Sequence, residues 1–390
     1  MKALEFENGK IVLSGRIDST NAPELEAQLN EILANNSFTS LEVDCENLKY
    51  ISSAGLRLIL KLRKACAGTE ITNVCPEVYD IFQMTGFTEM MEVHKAFKVV
   101  SIEGCEVIGQ GANGKVYRID PETIVKAYIN QDSLPDIKRE RELARKAFVM
   151  GVPTAISYDV VRLKEGGYGS VFELLQATGL NKILASGEKT LDEVARMSIN
   201  LLKIIHSCEV EPGTLPDMKK EVLSWVEFDR HYLTEDQYGK LLNLVSAIPD
   251  DNHLLHGDYH MKNVLYQDGE CLLIDMDTLC HGNPVFELAQ MYNGYCGFSY
   301  LDHNISMKFY GVSHEIVSAF WKKSLSLYLG TDDEKKIAEV EKKAMVIGFT
   351  RILRRAVRKM KPGSEEQTAT MENARNILAQ LLEEVDSLAV

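Results

Sequence analysis

The stretch Gly109-Gln110-Gly111-Ala112-Asn113-Gly114-Lys115-Val116 constrains this chain more than any other. Strand-like residues flank it on both sides, Val107-Ile108 before and Tyr117-Arg118-Ile119 after, so the glycines belong to a hairpin. A dinucleotide-binding fingerprint needs a helix directly after such a loop, and this sequence supplies a strand instead. Glycines in a hairpin let backbone N–H groups close over phosphate without side-chain clash. The expectation is a nucleotide-covering loop formed by Gly109, Gly111 and Gly114.

Three further elements follow in order. Ile124-Val125-Lys126-Ala127 reads as the next strand, with Lys126 projecting toward nucleotide phosphates. Such a lysine needs an acid to hold it. The helix around residues 138–145 offers Glu140 and Glu142, and Glu140 is preferred because Leu143, Ala144 and Ala147 follow it at helical spacing. Then comes His256-Gly257-Asp258-Tyr259-His260-Met261-Lys262-Asn263, in which Asp258 is placed to accept or orient a hydroxyl proton. Last, the apolar strand Cys271-Leu272-Leu273-Ile274 ends in Asp275-Met276-Asp277, an acid pair suited to a metal.

The Asp258–Asn263 spacing matches the kinase loop H-R-D-x-x-x-x-N with glycine in place of arginine. With the other three elements, this resembles the aminoglycoside phosphotransferase and choline kinase family over about residues 101–330. The resemblance implies a bilobal fold with a five-stranded small lobe, a hinge and a mostly helical large lobe. It implies ATP and Mg²⁺ as cofactors (GTP in place of ATP stays open), with Asn263 and Asp275 on the metal and Asp277 either a further ligand or a shaper of the turn. The hinge falls at Val171-Phe172-Glu173-Leu174-Leu175, where the backbone around Glu173 and Leu175 would bond the adenine. No A-P-E sequence follows Asp275, and a helix containing Glu287 begins almost at once, leaving no platform for a protein substrate. Glu287 is read as structural, as are His256 and His206; His260 is open to phosphate or substrate, and Trp225 and Trp321 are read as core.

Residues 1–98 read as a small α/β unit. Ile11 and Leu13 mark a strand, and Pro23 opens a helix that Thr20 or Asn21 can cap, with Leu25, Leu29, Ile32 and Leu33 on one face. A strand at Leu41 and Val43, a helix from about residue 52, a strand at 71–74 and a helix at 76–84 follow. Gly15-Arg16-Ile17-Asp18, residues 50–57 and Thr85-Gly86-Phe87 resemble the STAS domain of anti-sigma-factor antagonists. That family carries a phosphorylated serine where Ser53 stands, although Ser52 replaces its usual preceding aspartate. A helix N-terminus accommodates phosphate well; the alternative is that Ser52 or Ser53 caps the helix. The expected domains are 1–98, a kinase-like small lobe at 101–175 and a helical large lobe at 176–390. The intervening stretch is short and not Gly/Ser-rich, which predicts coupled units.

Composition supports this picture. A formal net charge of −14 argues against nucleic acid as the main partner. Eight scattered cysteines form no C-x-x-C pair, residues 1–10 contain no apolar signal core, and no apolar run suits a bilayer, so a cytoplasmic location is expected. The function expected is phosphoryl transfer to a hydroxyl of a small molecule, aminoglycoside-, choline- or sugar-like, with a protein partner available to the STAS-like unit. Two rivals fit the same residues: a nucleotide-sensing regulator of a STAS partner, or a kinase whose substrate is Ser53. Glu221, Glu227, Asp229, Asp236 and Asp251 are compatible with an amine-bearing acceptor. Arg351, Arg354, Arg355, Arg358 and Lys359 share one helix face, either solvated or in contact with an anion.

Overall fold

The computed structural model describes residues 3–111, 114–130, 132–211 and 213–390. Ala112 and Asn113 of the glycine hairpin lie outside the described residues. The chain divides into two units, one of residues 1–103 and 160–168, the other of residues 104–159 and 169–390.

In the first unit, β1 (Leu4–Glu7) and β2 (Lys10–Ile17) form an antiparallel hairpin. The chain then alternates helix and strand: α1 (Ala22–Asn35), β3 (Leu41–Ile51), α2 (Ser53–Ala65), β4 (Thr69–Val74), α3 (Pro76–Met84), the short α4 (Phe87–Met90) and β5 (Val93–Lys95). Each strand from β2 to β5 pairs in parallel with the next, giving the order β1-β2-β3-β4-β5. Parallel neighbours need crossovers, which the three longer helices provide. Ile11, Val43, Ile71 and Val74 are wholly buried beneath Leu25, Leu29, Ile59 and Phe82 from the helices. Asn21 stands at the start of α1 without capping it. Its side chain instead ties the preceding loop, accepting from Asp18 N at 2.9 Å and donating to Arg16 O at 2.7 Å. The helix from residue 52 is capped by Ser52, whose Oγ accepts from Ala54 N at 3.2 Å. Ser53 is exposed in the first turn.

The strand β6 (Lys98–Val100) also belongs to this unit and pairs in parallel with residues 161–163 of a later strand, β10 (Asp159–Leu163). Phe97 packs edge-on against Tyr168 with ring centroids 5.2 Å apart. The first unit therefore includes a hairpin remote in sequence, which the expected boundary at residue 98 omitted.

The second unit opens with the antiparallel strands β7 (Glu106–Gln110), β8 (Gly114–Arg118) and β9 (Thr123–Tyr128), then α5 (Leu134–Val149). After β10 (Asp159–Leu163), β11 (Tyr168–Glu173) pairs with β9, giving the order β11-β9-β8-β7. The fifth strand implied by the family resemblance is β10, which from Val160 onward is grouped with the first unit. The helical part runs through β12 (Thr178–Gly179), α6 (Leu180–Ser186), α7 (Leu191–His206), α8 (Met218–Asp229) and α9 (Glu235–Ser246). The short strands β13 (Leu254–Leu255), β14 (Val264–Gln267), β15 (Glu270–Leu273) and β16 (Cys280–His281) follow. The helices α10 (Val285–Tyr292), α11 (Asn304–Tyr310), α12 (His314–Leu329), α13 (Glu334–Lys359) and α14 (Glu365–Glu384) complete it. Thr190 and Glu193 form a reciprocal cap on α7, and α10 is buried along its whole length. Trp321, Phe286, Phe320 and Phe349 are fully enclosed. No helix among the described residues is long and apolar enough to cross a membrane.

Candidate active site

Lys126 lies on β9 with its neighbours Val125 and Ala127 buried, so strand alternation turns its side chain to the opposite face. Its Nζ is 2.8 Å from Glu140 Oε1 and 2.7 Å from Asp275 Oδ1. Burial alone would depress the Lys126 pKa, but Glu140 and Asp275 outweigh it and raise the pKa above the ordinary lysine value. Glu140 is buried on the inward face of α5 with Ile137, Leu143, Ala144 and Ala147. Glu142 is exposed and pairs locally with Lys146 at 3.1 Å. Tyr128, two residues beyond Lys126 on the same strand face, donates to Glu140 Oε2 at 2.7 Å. Its period-two spacing from the lysine was a legible signal for this contact.

The three loop glycines differ in what holds them. A Cβ on Gly114 would stand 2.2 Å from Ala127 O, so glycine is required where β8 runs close to β9. Gly111 faces open space, and its N–H closes the turn onto Gly114 O at 2.9 Å. A Cβ on Gly109 would meet the Val116 side chain at 3.6 Å, an ordinary contact distance. At the hinge, Leu174 N donates to Glu122 O at 2.6 Å. Along an extended segment this turns the amides of Glu173 and Leu175 to the other side.

The loop after β13 is held from beneath. The Glu287 carboxylate, wholly buried on α10, accepts from His256 N at 2.5 Å, Gly257 N at 3.1 Å and Tyr259 N at 3.4 Å. Burial acts to raise the Glu287 pKa, yet its bonding to the loop, with His206 and His256 nearby, leaves it below the usual value. His256 donates from Nε2 to Ile274 O at 3.1 Å and accepts from Asp258 N at Nδ1, 3.2 Å, joining the Asp258 and Asp275 segments. Gly257 has φ +81°, and a Cβ there would meet Thr278 O at 2.4 Å. The glycine that replaces the kinase arginine is therefore required by the close approach of two loops. Tyr295, which no motif marked, accepts the Met261 N–H at its hydroxyl oxygen, 3.0 Å away, and so ties the loop a second time.

Asp258 is half-buried, with His260 Nε2 3.6 Å from its Oδ2. Burial lowers the His260 pKa, and Asp258 partly offsets this. Asn263 donates Nδ2 to Asp258 O at 3.0 Å, which leaves its amide oxygen for a ligand. Asp275 takes the left-handed conformation at φ 66°. The Asp277 pKa is pushed up to about 6 by burial and by the charges of Asp275 and Glu140. Asn263, Asp275 and Asp277 thus offer oxygen donors only, with carboxylates crowded enough to favour a cation between them, and this donor set fits Mg²⁺. His206 contacts Tyr328 Oη at 2.7 Å from the end of α7, and Trp225 and Trp321 are buried.

A STAS domain model matches residues 1–93, and BtrV of Bordetella bronchiseptica, classed by name with the anti-sigma factor antagonists, is 33% identical over 85 residues, 21% of this chain and 72% of its own length. Among solved structures, the ADP-bound aminoglycoside phosphotransferase APH(2'')-Ib aligns over 78% of this chain and 96% of its own, at 15% identity and a TM-score of 0.47. The gentamicin complex of APH(2")-IIa aligns over 77% of this chain and 95% of its own, at 16% identity and a TM-score of 0.46. The family model of the phosphotransferase enzyme family matches residues 104–308, more than half of the chain and all four elements of the site. The chain belongs to the phosphotransferase enzyme family and carries a STAS domain at its N-terminal end.

Proposed function

We propose that the second unit transfers the γ-phosphoryl group of ATP to a hydroxyl of a small molecule, with Mg²⁺, and that the STAS domain regulates it or docks a protein partner. The observation that carries this reading is the bridge from Lys126 to both Glu140 and Asp275. It joins two of the four sequence elements, the Lys126 strand with its acid and the strand ending at Asp275, at one point. In this reading Lys126 binds the α and β phosphates, Glu140 fixes the lysine, and Gly109, Gly111 and Gly114 cover the phosphates with backbone amides. The amides near Glu173 and Leu175 hold the base, and GTP in place of ATP fits the same backbone contacts.

Asn263 and Asp275 would hold the metal, with Asp277 beside them. Bound there, Mg²⁺ neutralises charge on phosphate oxygens. Asp258 orients the acceptor hydroxyl in line with the γ-phosphoryl group and takes its proton, while His256 and Glu287 fix the loop that carries it. Use of ATP fits a cytoplasmic protein.

A second reading makes Ser53 a phosphoryl acceptor. It is favoured by one observation: Ser52 performs the capping and Ser53 is exposed. Phosphate on Ser53 would sit in the first turn of α2, where the helix dipole favours it.

The primary reading is tested by ADP release with Mg²⁺ and ATP against a panel of amino alcohols, sugars, aminoglycosides and hydroxy acids. Asp258→Ala is expected to abolish acceptor-dependent release while ATP affinity stays within a few-fold. Unchanged turnover in that variant would remove Asp258 from the mechanism.

A further inference from the structure

The helix α13 packs against both α10 and α8. Arg351 is half-buried there, and its guanidinium donates to Gln290 Oε1. Gln290 is itself buried on α10, three residues and so about one turn beyond Glu287, the clamp of the Asp258 loop. The same region is tied to α13 a second time, since Asn293 Nδ2 donates to Gly348 O at 3.0 Å. Arg351 therefore stands one turn along two packed helices from the residues that position the catalytic loop. Burial lowers the Arg351 pKa, and the charge of Asp258 partly offsets this.

The other basic groups of this face are arranged around aromatic rings. Arg355 lies 5.1 Å from the Phe298 ring centroid, and Arg354 lies 5.7 Å from that of Trp225. Arg354 is countered by Glu221 at 3.9 Å. Arg351 and Arg355 differ: among the described residues no carboxylate forms an ion pair with either. They are also four residues apart on a helix, neighbours whose like charges repel.

Three of the five acids that made an amine-bearing acceptor attractive are engaged elsewhere. Glu221 accepts from Trp225 Nε1 at 2.7 Å, Glu227 from Tyr238 Oη at 2.6 Å, and Asp251 from His253 N at 3.1 Å. Asp229 is fully buried with neither oxygen hydrogen-bonded, and burial pushes its pKa up to about 8, which disfavours its charged form. Asp236 is exposed on α9.

We propose that the acceptor is an anionic hydroxy compound whose phosphate or carboxylate group is bound by Arg351 and Arg355, with its hydroxyl presented to Asp258. Two guanidiniums about one turn apart on α13, neither ion-paired with a carboxylate among the described residues, suit an oxyanion that accepts from both. The inference rests on the phosphotransferase reading and narrows its substrate class.

The test uses the full chain saturated with Mg-ADP, into which inorganic phosphate and, separately, acetate are titrated by calorimetry. Binding of one or both is expected, weakened roughly tenfold or more by Arg355→Ala and less by Arg351→Lys, which keeps the charge. Equal binding in wild type and Arg355→Ala, or none in wild type, overturns the proposal. ADP release with glycerol, glycerol phosphate and glycerate then separates phosphate from carboxylate: the preferred anion should lower KM, and Arg355→Ala should raise that KM. Efficient turnover of a neutral or cationic acceptor, with KM unmoved by either variant, also overturns it and leaves the kinase reading standing. Failure of Mg-ADP to bind at all counts against the kinase reading instead, and phosphate titration of the nucleotide-free chain with Arg355→Ala still decides the anion site.

Discussion

Gly257 and Asp229 show how single residues carry consequences that their chemistry alone does not announce. Because a Cβ at Gly257 would press on the Thr278 carbonyl, Gly257→Ala should force the Asp258 loop away from the Asp275 segment. The expected cost is about 2 kcal/mol, with a fall in turnover, whereas Gly111→Ala faces open space and should melt within a degree or two of wild type. Thermal unfolding of the pair checks this, and equal losses would contradict it. Asp229 makes a prediction about pH. Its pKa is raised by burial, so between about pH 4 and pH 8 the folded chain keeps a proton that the unfolded chain has released. Stability must therefore fall as pH rises through that window. Asp229→Asn should remove this slope, so that its stability relative to wild type rises by roughly 3–4 kcal/mol between pH 5 and pH 8. A constant difference across that range would show that Asp229 is ionised in the fold. Lys126, Glu140, Asp258, Asn263 and Asp275 were legible because the order and spacing of their motifs persist at any distance in sequence. Tyr295 and the buried state of Asp229 were not, since each depends on packing between helices that no local pattern specifies.

Among the elements, α2 separates capping from modification. Ser52 accepts the Ala54 N–H and Ser53 does not cap, so Ser52→Ala should cost about 1 kcal/mol and Ser53→Ala close to nothing. Chemical denaturation of the two variants measures this, and a larger loss for Ser53→Ala would give the capping role to the wrong serine. The strands and helices of the first unit were readable from alternation and helical periodicity, and α3 at Pro76–Met84 falls where the sequence placed it. The hairpin joining residues 160–168 to that unit was not readable, because the pairing of β6 with β10 spans some sixty intervening residues. The basic face of α13 was legible as a face. What it contacts became visible only with Gln290, Trp225 and Phe298 beside it.

For the whole molecule, a STAS domain and a phosphotransferase share one chain, and the two proposed readings differ in the phosphoryl acceptor: the hydroxyl of a small molecule at Asp258, or the exposed Ser53. The helix α10 begins at Val285, soon after Asp275, and we read this as favouring the small molecule. The measurement that tests this most directly is transfer of a heavy-oxygen-labelled γ-phosphoryl group from ATP. The full chain is incubated with Mg²⁺ and a metabolite extract, and small molecules and Ser53 peptides are both read by mass spectrometry. Label is expected in an anionic small-molecule product and should be lost in Asp258→Ala. Label confined to Ser53, or released only as inorganic phosphate, would contradict it.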